Sequence, residues 1–303
     1  TRVRPHFSLP FDVRERMWLT LVRLPPLAGM YAFATAFIRP GDEVILFEPY
    51  FDQYVPQVTF NGGVPVFVPI RAPAAATEQN VPASEWKVDL DELRRAITPR
   101  TKMIWTNSPH NPVGKVFTED ELRAIGQIAE EHDLMILADE VVRPPLALSL
   151  SREQERAPDV CSSCAQYDCL TFDKREHVRI AALDDFWRRT VTVGSAVRLL
   201  PLSPSLAPLE AAQADIHPLH AAQGKSFSAT GWRIGWAVGP ATLIHPLMAA
   251  QTRIVFCCNG PAQEAVASGV EQALDNGFFE DQVRAYEERR DVLLEGLDKL
   301  GLP

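Results

Sequence analysis

Hydrophobic residues along this chain fall into short unbroken runs, separated by stretches in which apolar positions recur every three or four residues. The runs are EVILFEP (43–49), VPVFVPI (64–70), MIWTNS (103–108), MILADEV (135–141), TVTVGSA (190–196) and RIGWAVG (233–239). A strand apolar at consecutive positions is buried on both faces, which is the habit of parallel sheets. The periodic stretches predict helices over 89–97, 118–133, 242–255, 260–275 and 279–300. Thr118, with Glu121 three residues later, gives the second of these a capping box. Strands alternating with helices predict an α/β fold built on a doubly wound, mostly parallel sheet. The last pattern, 279–300, is long and amphipathic and reads as a connecting helix leaving the main domain.

Three stretches carry neither period: 1–28, 142–166 and 197–223. They hold 11 of the chain's 25 prolines, no glycine and no lysine, and read as irregular chain. Proline is thus in excess over its usual ~5%, and the excess has an address. The predicted organisation is a segment 1–28 outside the domain, a large domain over 29–280 interrupted by 142–166 and 197–223, and a helix over 281–303 that begins a small C-terminal domain.

Charge and cysteine usage narrow the function. Against 39 acidic residues stand 30 basic ones, a formal net charge of −9 with a pI near 5.3. No basic run is present, which argues against a nucleic-acid or anionic-membrane partner, and no apolar stretch approaches the roughly 20 residues of a membrane span. Five cysteines do not make a disulfide framework in 303 residues, so a reducing compartment is expected. Cys161 and Cys164 have CxxC spacing, but no second pair or histidine cluster accompanies them, and no metal site is expected.

Ligands bind outside the carboxyl ends of the strands in such sheets. Four of the predicted strands end in polar sequence there: EPYFDQY (48–54), SPHNPVGK (108–115), ADE (138–140) and GSA (194–196). Near a fifth lies GKSFSATGWRIGW (224–236). Together these motifs resemble the fold-type I pyridoxal-phosphate aminotransferases, within them the kynurenine aminotransferase and cysteine-conjugate β-lyase branch. The resemblance covers 29–141, 167–196 and 224–303.

It implies a set of roles. Pyridoxal phosphate is an electron sink, so the protein must hold its aldehyde, pair its ring nitrogen and anchor its phosphate. Lys225 matches the lysine that bonds the cofactor aldehyde and then moves the substrate proton. Asp139 resembles the carboxylate that pairs with the ring nitrogen, and Asn111 the asparagine that bonds the ring hydroxyl oxygen and a substrate carboxylate. Phe51 resembles the aromatic stacked on the ring, and Tyr167 the tyrosine bonding the ring oxygen, here displaced from its usual place after Asp-Glu-Val. Arg233 follows Lys225 by eight residues, as the phosphate-binding arginine does, and Ser195 resembles the hydroxyl that shares that phosphate. Of the usual Gly-Ala-Asn phosphate cradle only Gly29 remains. The resemblance places the carboxylate-binding arginine in a C-terminal part that follows residue 303, leaving the small domain truncated.

In that family Asp-Glu-Val runs straight into Tyr, and Gly-Ser-Ala straight into Gly-Lys. Here 25 and 27 residues intervene, so Asp139 and Lys225 lie 86 positions apart, or 34 once both stretches are set aside. Each stretch begins Val-Arg, encodable as GTG-AGG, and ends in Gln, encodable as CAG. Both therefore read as in-frame retained introns, with genuine lineage-specific loops as the alternative. The implied activity is transfer of an amino group from kynurenine or a related aromatic or sulfur amino acid to a 2-oxo acid, with β-elimination of cysteine conjugates alongside. A cytoplasmic or mitochondrial homodimer is implied. The interruptions predict impaired turnover from this exact chain. Aspartate- or alanine-type transamination, or a catalytically dead homologue serving as a binding or dimer partner, stands as the alternative.

Overall fold

Side-chain alternation along the central strands explains the layers of the molecule. In the computed structural model, which describes residues 19–24, 26–77, 81–140, 177–196 and 232–301, eight strands form one sheet. They are β1 (Leu19–Leu24), β2 (Glu43–Glu48), β3 (Val64–Arg71), β4 (Lys87–Val88), β5 (Thr101–Asn107), β6 (Met135–Asp139), β7 (Thr190–Ala196) and β8 (Ile234–Pro240). Their order is β1-β8-β7-β6-β5-β2-β3-β4. The run β3-β2-β5-β6-β7 is parallel throughout, whereas β4, β8 and β1 join antiparallel.

Val44, Leu46, Met103, Trp105 and Leu137 face one layer, and Ile45, Phe47, Ile104, Ile136 and Ala138 the other. Successive residues of a strand point to opposite faces, so each apolar run supplies two cores at once. Helices α1 (Pro26–Phe37), α2 (Tyr54–Thr59) and α5 (Ala241–Ile254) cover the first face. Helices α3 (Leu90–Ala96) and α4 (Glu119–Glu131) cover the second. Helix α4 starts with the expected capping box, Thr118 and Glu121 each satisfying the other's backbone N–H. Helices α6 (Gly260–Asp275) and α7 (Phe278–Lys299) follow, with Phe279 packing into a smaller cluster around Ile234 and Trp236.

Residues 19–24 correct one expectation: they lie in a stretch read as irregular, yet they form β1 and pair with Gly235–Pro240 of β8. LTLVRL is broken by Thr20 and Arg23, so it does not show the unbroken apolar run of the other strands, and the ladder to β8 decides its conformation. Helix α1 was also unmarked. Its sequence, PLAGMYAFATAF, is apolar almost all round, so no amphipathic period exists to be read, although proline at its first position is a normal start. The strand expected over 135–141 stops at Asp139.

Gly126 lies inside α4 directly under Phe186, where an added Cβ would sit 2.3 Å from the ring. Glycine to alanine in a helix is ordinarily favourable by about 1 kcal/mol. Here the sign reverses: Gly126→Ala is expected to lower unfolding stability by about 1–3 kcal/mol in a urea titration, through overpacking. Trimming Phe186 to leucine in the same chain recovers most of that loss.

Candidate functional site

The sheet reverses its winding between β2 and β5: the chain goes from β2 outward to β3, and from β5 the other way to β6 and β7. Ligand clefts of open α/β sheets form at such switch points, beyond the carboxyl ends of the strands. Three of the expected site residues stand there. Phe51 follows the end of β2, Asn111 lies in the turn after β5, and Asp139 is the last residue of β6.

Asp139 is only 6% exposed. Its backbone carbonyl accepts from Asn107 Nδ2 at 2.9 Å and from Ser108 N–H at 3.4 Å. Asn107 in turn uses its side-chain oxygen to accept from the Asn111 N–H at 2.6 Å. A strand end, its register partner Asn107 and the loop carrying Asn111 are thereby locked together. The carboxylate itself accepts from Tyr54 Oη, with 2.6 Å to Oδ2. Among the described residues only Tyr54 hydrogen-bonds this carboxylate. A buried carboxylate with no donor to its other oxygen among the described residues, next to Asn107 and the loop carrying Asn111, suits a ligand carrying a cationic ring N–H.

Phe51 meets Tyr54 edge-on, 5.6 Å between ring centroids, and packs on the first core. On the far side, β7 and β8 run antiparallel with Ser195 opposite Gly235 and Ala196 opposite Ile234. Arg233, one residue before β8, therefore comes to the same end of the sheet as Asp139 and Ser195. Its backbone is left-handed, φ 55°, a conformation a non-glycine residue adopts only when its surroundings impose it. Gly194 beside Ser195 is obligatory, because a Cβ there would sit 2.4 Å from the Trp236 indole nitrogen. Tyr167 and Lys225 lie outside the described residues, as do Cys161 and Cys164.

Several site residues have no precedent in the sequence reading. His110, between two prolines in SPHNPVGK, is buried next to Asp139. Burial pulls its pKa down to about 4, with the Lys115 charge adding to the effect and the Phe47 backbone and Asp139 working against it. It is therefore a neutral imidazole at ordinary pH. Glu140 is fully buried, and burial pushes its pKa up against the opposing pull of His177, the Ile180 N–H and Arg179. Its Oε1 accepts from Ile180 N–H at 3.1 Å, while the His177 ring lies 3.0 Å from the Ser108 carbonyl. These two residues clasp the segment entering at 177 to the loop after β5. Lys115, with a wholly buried side chain, bonds Glu121 at 2.9 Å and so ties that loop to the α4 capping box. Glu140, in the ADE run at the end of β6, and His110 and Lys115, in the SPHNPVGK loop after β5, lie in polar stretches that the sequence marks; His177 does not.

A mostly parallel sheet with its winding reversed between β2 and β5, and polar residues gathered beyond the strand ends, is the fold of the aminotransferases. The chain belongs to the aminotransferase class I and II family, whose model matches residues 27–141 and 208–303. The interval between those ranges includes β7, which nevertheless sits in the sheet between β6 and β8. The chain is 32% identical to the kynurenine–oxoglutarate transaminase of Dictyostelium discoideum over 301 residues, covering 97% of this chain and 57% of that protein. It is 31% identical to kynurenine–oxoglutarate transaminase 1 of Homo sapiens over 287 residues, covering 92% and 56%. Among solved structures, Bna3p of Saccharomyces cerevisiae superposes with a TM-score of 0.74 at 34% identity, over 93% of this chain and 55% of that one. An aspartate aminotransferase double mutant from Thermus thermophilus gives 0.68 at 29%, over 93% and 58%. The chain spans about half the length of the curated relatives it matches.

His110 sets a pH dependence. With a folded pKa about 4 and an unfolded value near 6.5, the unfolded chain binds more protons between these two pH values, so stability falls as pH drops from about 6.5 to 4. The full effect is about 3 kcal/mol. Urea unfolding across that range is expected to show this slope in the native chain and a flatter one in His110→Asn. Glu140, raised and thus opposite in sign, is common to both chains and cancels in the comparison.

Proposed function

We propose that this chain is the cofactor-binding part of a pyridoxal-phosphate aminotransferase that moves an amino group from kynurenine, or a related aromatic or sulfur amino acid, to a 2-oxo acid. The observation that carries the reading is the buried Asp139 carboxylate at the switch point, held beside the Asn111 loop. Pyridoxal phosphate, when bound, supplies an electron sink for the substrate α-carbon.

Each residue then has a task of its own. Asp139 balances the charge of the ring N–H, so that burying it is not left uncompensated. Asn111 donates to the ring oxygen and to a substrate carboxylate, its loop already fixed through Asn107. Phe51 covers the ring face, and Arg233 with Ser195 holds the phosphate in a bidentate grip that a lysine could not supply. Lys225 would hold the cofactor at its aldehyde end and serve as the base at the substrate α-carbon; partial desolvation next to a cationic ring lowers a lysine's pKa into the range of a base. Tyr167 donates to the ring oxygen. The relatives named for kynurenine–oxoglutarate transamination support the choice of amino donor.

The stretches 142–166 and 197–223 stand apart from this machinery in our reading. The first matched range ends at 141, beside the start of the first stretch, and the second range begins inside the second. Between Ser195 and Lys225 the second stretch separates two groups that must both meet one cofactor, where about 1 Å of misplacement costs about 10²-fold.

Two measurements test the reading. Treating the chain with pyridoxal phosphate and then borohydride should leave a pyridoxyl group on Lys225 by peptide mass spectrometry; a chain unmodified there is a dead homologue. Deleting 142–166 and 197–223 together should raise kynurenine transamination about tenfold or more over the full chain. Equal turnover in the two chains would make both stretches genuine loops.

A further inference from the structure

Tyr54 reaches further than its place in the chain suggests. It opens α2, just beyond the end of β2, yet its hydroxyl bonds a residue at the end of β6, two strands away in the sheet. Neighbouring strands lie about 4.8 Å apart, so the ring spans the end of β5 between them. Trp105 of β5 lies beneath it edge-on, 5.5 Å between centroids at 85°, and Phe51 meets it at 86°. Tyr54 is 3% exposed and Asp139 6%. The ring is therefore oriented by apolar packing on two sides, and its only freedom, the hydroxyl rotor, is spent on Oδ2 of Asp139 at 2.6 Å, a length typical of a hydroxyl donating to a carboxylate.

A carboxylate at the end of a strand turns about χ2 over a broad, two-fold well. One donor on one oxygen removes that freedom and sets the plane of the group, which leaves Oδ1 as the oxygen for an incoming donor. We infer that Tyr54 is a positioning residue for cofactor binding: its phenol fixes the plane of the Asp139 carboxylate so that Oδ1 meets the ring N–H of pyridoxal phosphate. This rests on Asp139 being the partner of the ring nitrogen. Tyr54 acts on the ring nitrogen's partner through its bond to Asp139. A merely structural role would instead support the whole site, ring nitrogen or not.

The ligand separates these roles. Tyr54→Phe keeps the ring and its packing and removes only the hydroxyl. Fluorescence titration of the purified 303-residue chain compares two ligands: pyridoxal phosphate and its deaza analogue, in which CH replaces the ring nitrogen. The native chain should prefer pyridoxal phosphate, and Asp139→Asn should erase that preference. Tyr54→Phe should weaken pyridoxal phosphate about tenfold and leave the analogue unchanged, and in the Asp139→Asn background it should have no further effect. Equal weakening of both ligands, no weakening at all, or a Tyr54→Phe chain that fails to fold each overturns the inference while leaving Asp139 in place. A native chain that binds both ligands alike overturns the reading of Asp139, and Tyr54's role with it.

Discussion

The end of one strand holds the rest of the site in place. Asp139 closes β6 in the middle of a sheet buried on both faces, and nothing at that depth can be left unpaired cheaply. Its carbonyl takes Asn107 and Ser108, its carboxylate takes Tyr54, and through Asn107 the turn bearing Asn111 is drawn in. Three segments far apart in sequence, after β2, β5 and β6, thus meet because one buried residue needs partners from all of them. The parallel arrangement makes this convergence available, since β2, β5 and β6 all end on the same side.

Electrostatics around that point follow a consistent division. Burial outweighs the partners of two buried groups and drives both toward neutrality: His110 down to about 4, Glu140 up. A neutral imidazole next to Asp139 adds no competing positive charge, which keeps the carboxylate available to a cationic ligand. Lys115, buried with Glu121, carries its charge away from the strand ends toward the start of α4. There it stiffens the loop base rather than the ligand side.

Much of the fold was legible because parallel strands and capped helices leave strong local marks. β7 was read to the residue, and α4 to its cap. What stayed hidden lacks such marks or depends on a distant partner: α1 has no polar face, α2 carries a proline inside six residues, and β1 depends on β8. The same holds at the site. Asp139, Asn111 and Arg233 sit in motifs that can be recognised, and the structure brings each to the ligand end of the sheet. Tyr54 lies in the quoted motif EPYFDQY, three residues after Phe51, but its partner is 85 positions away. No spacing rule reaches that far. The link between Glu140 and His177 is hidden for the same reason: they are joined by the fold across a long intervening stretch, and no local signature connects them.

The sheet tolerates the long connection between β7 and β8. β7 and β8 keep an unbroken antiparallel register from Thr192–Val238 to Ala196–Ile234, although 37 residues separate the two strands in sequence. Lengthening a closed connection from 10 residues, its length without 197–223, to 37 costs only about 1 kcal/mol in closure entropy. The ladder, with the buried Val193, Trp236 and Ala237 behind it, easily exceeds that cost. Placement of a reactive group follows another law, because rate depends on ångström-scale geometry and not on a logarithm of loop length. A chain of this kind can therefore keep the β7–β8 ladder of its aminotransferase fold while the connection between the two strands is nearly four times longer than it is without 197–223.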